Sequence, residues 1–151
     1  MKLYISSQTN LYDTVAATTM QYLVEWLHNL NDKIIGVDTE TTGLDFNTNK
    51  LLLLIIGNEE DQFVINCLDT DISPLFEFLS SNDYVKILHN AAFDYKFLKK
   101  AGVILENIHD TMLAEQVITN GKYINSYSLK AVTKFYTGKE RDKEITNSFI
   151  D

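Results

Sequence analysis

With 151 residues, 45% of them hydrophobic and 11% aromatic, the chain can bury one substantial core, and its length predicts a single domain. The lone cysteine, Cys67, excludes an internal disulfide framework and a cysteine-rich zinc site, so a bound metal is expected on oxygen ligands. A net charge of -8 argues against a general nucleic-acid binder, whose phosphate affinity comes from clustered Lys and Arg, and no stretch approaches the roughly 20 uncharged apolar residues that a bilayer requires, so a cytoplasmic chain without a membrane span is expected.

The elements alternate between strand and helix. Lys2 to Ser6 is expected as a short edge strand, and Val15 to Leu30 carries Tyr22, Leu23, Trp26, Leu27 and Leu30 at helical spacing. Lys33 to Glu40, Leu51 to Gly57 and Gln62 to Asn66 read as three strands, and their short turn-rich connectors favour antiparallel pairing. Ser73 and Pro74 are expected to open a helix through Leu79, with Ser73 as its cap and Pro74 at the first helical position. Val85 to Leu88 returns as a strand. Ala91 to Ala101 then forms a helix that Gly102 ends, and further helices are expected from Asp110 or Thr111 through Ile118 and from Ser126 or Ser128 through Tyr136. Pro74 is the only proline and no repeat or low-complexity run marks a linker. The pattern describes an α/β domain with a mixed sheet.

Two strings carry chemistry. In Ile34-Ile35-Gly36-Val37-Asp38-Thr39-Glu40-Thr41-Thr42-Gly43-Leu44, strand alternation sends Asp38 and Glu40 to one side and Thr39 to the other, at the end of an apolar run. Two like charges on one buried edge need a positive partner, and no Lys or Arg is near in sequence, so a divalent cation is the natural one. The plainer reading leaves both acids solvated in the following loop. In Val85-Lys86-Ile87-Leu88-His89-Asn90-Ala91-Ala92-Phe93-Asp94, a strand ends at Asn90 and Asp94 falls in the first turns of the next helix, from where its carboxylate can reach back to the sheet. Taken alone, Asn90 is a helix cap and Asp94 a favourable charge near a positive helix end.

The run Asp38-Thr39-Glu40-Thr41-Thr42-Gly43-Leu44 resembles the first motif of the DEDD 3'–5' exonucleases, and His89-Asn90-Ala91-Ala92-Phe93-Asp94 resembles the second. Asp110-Thr111-Met112-Leu113-Ala114, followed by Ser128-Leu129-Lys130-Ala131, is similar to the spacer helices of the DNA polymerase I proofreading domain and of ribonuclease D. The resemblance covers nearly the whole chain. It implies a ribonuclease-H-like mixed sheet flanked by helices, two Mg2+ or Mn2+ ions, and hydrolysis of a single strand from its 3' end. It also implies that Asp38 bridges both ions, that Glu40 binds one and orients the attacking water, and that Asp94 holds the second. Thr41 and Leu44 would meet the terminal nucleotide, with Asn90 and Phe93 along the sugar and phosphate path; each of these four also has a plain turn or packing role.

The family's fourth acid, an Asp on a late helix preceded by a tyrosine or histidine, is not found. Tyr136-Thr137-Gly138-Lys139-Glu140 imitates it but follows directly from the preceding helix, which Gly138 should end. The tail from Gly138 to Ser148 resembles the segment before that motif in ribonuclease D-like proteins, and the tyrosine subtype is favoured. The chain is therefore expected to be one exonuclease domain, incomplete at its C-terminus, from a longer and covalently linked DNA polymerase, acting on DNA in preference to RNA. Two alternatives stay open: a ribonuclease D-like RNA exonuclease, and an inactive exonuclease fold serving as a scaffold. Elsewhere, Asp110 reads as a helix cap and His89 as a core residue. Lys96, Lys99 and Lys100 read as a solvated face, and Tyr123 and Tyr127 as packing aromatics or base-stacking platforms.

Overall fold

The computed structural model describes residues 2–6, 16–120, 122 and 126–139. They fall into two compact units divided between Asp110 and Thr111. In the first unit the elements run β1 (Lys2–Ser6), β2 (Ala16–Ala17), α1 (Met20–His28), β3 (Ile34–Thr41), β4 (Leu51–Gly57) and β5 (Asp61–Asn66). A 3-10 turn at Ser73–Leu75 then leads into α2 (Phe76–Leu79), β6 (Val85–Leu88), α3 (Ala91–Lys100) and β7 (Ile108–Asp110).

Among the described residues seven strands make one mixed sheet, ordered β2-β1-β5-β4-β3-β6-β7. β3, β4 and β5 form an antiparallel meander, as their short connectors predict, whereas β3–β6, β6–β7, β1–β5 and β1–β2 are parallel. Gly57 and Gln62 face each other at the tight turn between β4 and β5, where a Cβ on Gly57 would stand 2.5 Å from the Asp61 carbonyl oxygen.

Register places the core on one face. Val37 lies across from Ile56 and Thr39 from Leu54, and Ile56 and Leu54 in turn face Phe63 and Ile65, all six of them buried. Leu23 and Leu27 of α1, Leu75, Phe78 and Leu79, and Leu98 of α3 close over this row. The indole N–H of Trp26 donates to Asp61 Oδ2 at 3.1 Å, and the Tyr84 hydroxyl donates to the Leu27 carbonyl at 3.0 Å.

Four sequence expectations change. The first helix begins at Met20, because Thr19 is extended and its hydroxyl accepts the Tyr22 N–H at 3.2 Å, while Ala16–Ala17 pairs as a strand. β1 consequently lies inside the sheet between β2 and β5, not at its edge. Ser73 is not a cap: its N–H and hydroxyl both donate to Asp71, at 2.9 and 2.8 Å. The strand β7 had no expected counterpart.

Lys86 is fully buried on the core face of β6, beside Ile35, and its ammonium donates to the carbonyls of Ser81 (2.5 Å) and Tyr84 (2.8 Å). Burial holds its pKa below the ordinary lysine value, with Glu106 opposing the shift. In the second unit, α4 (Thr111–Thr119) and α5 (Leu129–Thr137) follow the expected limits, with Ser128 capping α5 and Gly138 ending it at φ +69°. No helix among the described residues is long and apolar enough to cross a membrane. Lys86→Met keeps the side chain's length but leaves two carbonyls without their donor, and should lower stability by about 2 kcal/mol in urea unfolding; unchanged stability would show the ammonium to be dispensable.

Candidate active site

β3 carries the first two acids. Its buried row is Ile35, Val37 and Thr39, and its exposed row Ile34, Gly36, Asp38 and Glu40, so the alternation places both carboxylates on one face as expected. They are exposed, however, not on a buried edge, because Thr39 and not its neighbours faces the core.

Asp94 is the buried member. β6 pairs with β3 only as far as Gly36 and Ile87, after which the chain turns through His89 and Asn90 into α3. Where the parallel partner is missing, Asp94 Oδ1 accepts the Thr39 N–H at 3.1 Å and the Thr39 hydroxyl at 2.7 Å. A carboxylate thus completes the pairing of β3.

The three acids are coupled through Asp38. Burial pushes the Asp94 carboxyl up to about 6; the Thr39 hydroxyl opposes this and the Asp38 charge adds to it. Partial burial, followed by repulsion from Asp38, also raises Glu40. Among the described residues no three His, Cys, Asp or Glu side chains gather into one ready-made metal cluster, and the convergence is pairwise. Two carboxyl groups, Glu40 and Asp94, whose pKa the neighbouring Asp38 charge raises suit a hard divalent ion, which takes few protein oxygens and keeps several waters. Cys67 does not compete as a ligand, since burial lifts its thiol to about 11.

The start of α3 is held from β7. Asn90 adopts a left-handed conformation (φ 67°) at the N-cap position, but its side chain makes no capping bond. Instead Asp110 accepts the Asn90 N–H on Oδ1 at 3.1 Å and the Ala91 N–H on Oδ2 at 2.9 Å. Asp110 thus caps α3, which only the parallel pairing of Leu88 with Asp110 brings within reach.

Of the residues assigned to substrate, Leu44 is 86% exposed, so the packing role is not the one it fills. Thr41 donates to the Gly43 carbonyl at 2.8 Å, a turn role. Asn90 is exposed, and Phe93 is half-buried with its ring 5.2 Å from that of Phe97. The loop that bears Leu44 is built on Asp45, whose carboxylate accepts from Asn47 N–H and Thr48 Oγ1 and is held below its ordinary pKa chiefly by the Asn47 backbone bond. Lys100 is no free solvated lysine: Nζ donates to the carbonyls of Phe46 (2.8 Å), Asn47 (3.1 Å) and Asn49 (3.3 Å).

In the second unit, buried Glu115 accepts the Tyr136 hydroxyl on Oε2 at 2.9 Å, and Gly138 ends α5 two residues beyond Tyr136. Tyr127 lies 3.0 Å, oxygen to oxygen, from Thr119. Glu140 and Tyr123 lie outside the described residues.

A sequence model of a 3'-5' exonuclease family matches residues 14–148. The chain belongs to this family, one of the DEDD exonucleases. It is 30% identical over 119 residues to DNA polymerase I of Aquifex aeolicus, a match that covers 78% of this chain and 19% of the polymerase. The fold is shared with Brucella melitensis NrnC, solved with pGG (TM-score 0.70, 20% identity, 95% of this chain and 63% of NrnC), and NrnC has also been solved with bound Mg2+. Escherichia coli RNase D, an exoribonuclease involved in structured RNA processing, superposes with a TM-score of 0.67 at 24% identity over 83% of this chain and 32% of its own. The chain thus spans about a fifth of the polymerase relative. These likenesses bear out the expected mixed α/β, ribonuclease-H-like fold.

Asp94 gives stability a defined pH dependence. Unfolded, it releases its proton near 3.8; folded, near 6, so without metal the folded state loses stability as pH rises through that window, by on the order of 3 kcal/mol, and the penalty is fully present above it. Asp94→Asn should flatten this segment and be the more stable protein at pH 7 in chelator; thermal melts between pH 4 and 8 check this, and an unchanged slope contradicts it.

Proposed function

We propose that this chain is the metal-dependent 3'–5' exonuclease domain of a longer DNA polymerase, removing nucleotides from single-stranded DNA 3' ends with Asp38, Glu40 and Asp94 as its metal-binding carboxylates. The observation that carries the reading is Asp94 seated on Thr39, between the two exposed acids of β3, in electrostatic contact with Asp38.

The proposed chemistry is phosphodiester hydrolysis. Two Mg2+ or Mn2+ ions, when bound, would supply a water of lowered pKa and stabilise charge on the scissile phosphate and the departing 3' oxygen. Asp38 is suited to share both, since its charge meets that of Glu40 and of Asp94. Glu40, exposed beside it, is placed to orient a water, and buried Asp94 to hold its side of the pair without moving. Leu44 presents an apolar surface to the terminal base, while Thr41 holds the turn beneath it, and Asn90 and Phe93 line the sugar and phosphate path.

The fourth carboxylate of the family pattern is assigned to polypeptide following residue 151, in keeping with the small share of the polymerase relative that this chain spans. That relative favours DNA. The likeness to NrnC, solved with pGG, and to the exoribonuclease RNase D keeps an RNA exonuclease as the second reading. The acidic balance of -8 is consistent with substrate delivery by another domain.

The test uses matched 5'-labelled DNA and RNA single strands with Mn2+, and this chain with and without the polypeptide that follows it. Stepwise shortening from the 3' end is expected with the extension, faster on DNA, and Asp38→Asn should slow it on the order of a hundred- to a thousandfold. An extended chain that leaves both strands intact would overturn the reading, and a preference for RNA would overturn the polymerase assignment. Leu44→Ala should raise KM about tenfold with no change in melting temperature, since it removes an exposed apolar contact made only with substrate; an unchanged KM removes Leu44 from the site.

A further inference from the structure

Thr39 stands in the buried row of β3 after Ile35 and Val37, where a valine would fill the same space. A hydroxyl in such a row must find a partner, and it finds Asp94 Oδ1 at 2.7 Å, the same oxygen that takes the Thr39 N–H at 3.1 Å. One residue therefore holds one carboxylate oxygen at two points. This fixes the plane of the Asp94 carboxylate and leaves Oδ2 as the oxygen that Thr39 does not touch. Asp38 and Glu40 are tied to β3 by covalent bonds, and Asp94, 55 residues away from Thr39, is tied to the same strand by these two hydrogen bonds.

We propose that Thr39 is the positioning residue that presents Asp94 to a divalent cation, and that its hydroxyl sets the affinity of the Asp38–Asp94 side of the site. The inference rests on the carboxylate reading above and deepens it. Hydrogen-bond partners of metal-binding side chains restrict the orientations that the ligand samples, and their loss typically weakens metal binding by tenfold or more. The backbone donor survives substitution of Thr39 by Val, Ala or Ser, so the hydroxyl's share can be isolated.

The experiment titrates Mn2+ alone into the protein, following free Mn2+ by electron paramagnetic resonance and the ion-dependent rise in melting temperature. Thr39→Val and Thr39→Ala should each bind Mn2+ about tenfold more weakly and lose most of that rise. Thr39→Ser, which restores the donor, should return to within about twofold of the wild type, a rescue that a packing role for the threonine methyl would not give. The alanine variant introduces no bulk, so the outcome does not depend on whether the valine variant folds. Wild-type affinity in either donor-free variant, alongside weakened binding in Asp94→Asn, overturns the role of Thr39 and leaves the site standing. Wild-type affinity in both Asp38→Asn and Asp94→Asn overturns the carboxylate site, and this inference with it.

Discussion

The point at which β6 stops pairing with β3 governs the arrangement of the candidate site. Had the parallel ladder continued past Gly36 and Ile87, the Thr39 N–H would bond to backbone and Asp94 would have no place on the strand. Because the chain turns away at His89 and Asn90, β6 does not pair with β3 at Thr39, and the first turns of α3 bring a carboxylate there instead. The backbone donor must be satisfied, and the residue that satisfies it is an acid. The same turn brings Asn90 and Ala91 against Asp110, so the helix is gripped at its start by one acid and sealed to the sheet by another.

Such a site works against the stability of the fold that contains it. A carboxylate withdrawn from water beside Asp38 burdens the metal-free protein, and relief of that burden is free energy available to a bound cation. Thr39 keeps the conflict tolerable by donating twice to one oxygen. Lys86 is a comparable case with no link to the site: an ammonium buried whole, made acceptable by two carbonyls.

Periodicity made much of this visible in advance. β3, β4 and β5 announce themselves by apolar runs between turn residues, and the strict two-residue repeat of β3 is what separates Asp38 and Glu40 from Thr39. α3 was legible from Phe93, Phe97 and Leu98 and from Gly102 beyond it. β2 and β7, with two and three residues, are too short to carry a pattern and exist because neighbouring strands offer them hydrogen bonds. Asp110 looked like a cap for the helix it precedes, and it also holds the start of α3, 19 and 20 residues earlier, a relation that only parallel pairing creates. The exposure of Asp38 and Glu40 was misjudged because an apolar run does not tell which of its faces the core will cover.

Lys100 joins two parts of the molecule that are far apart in the chain. Its ammonium sits under three carbonyls of the hairpin that bears Leu44, while its backbone closes the helix that begins near Asp94. The hairpin that bears Leu44 is thereby tied to α3, the helix that carries Asp94. Under the proposed exonuclease reading, a nucleic acid end reaching the acids would pass between this helix and the tip of the hairpin.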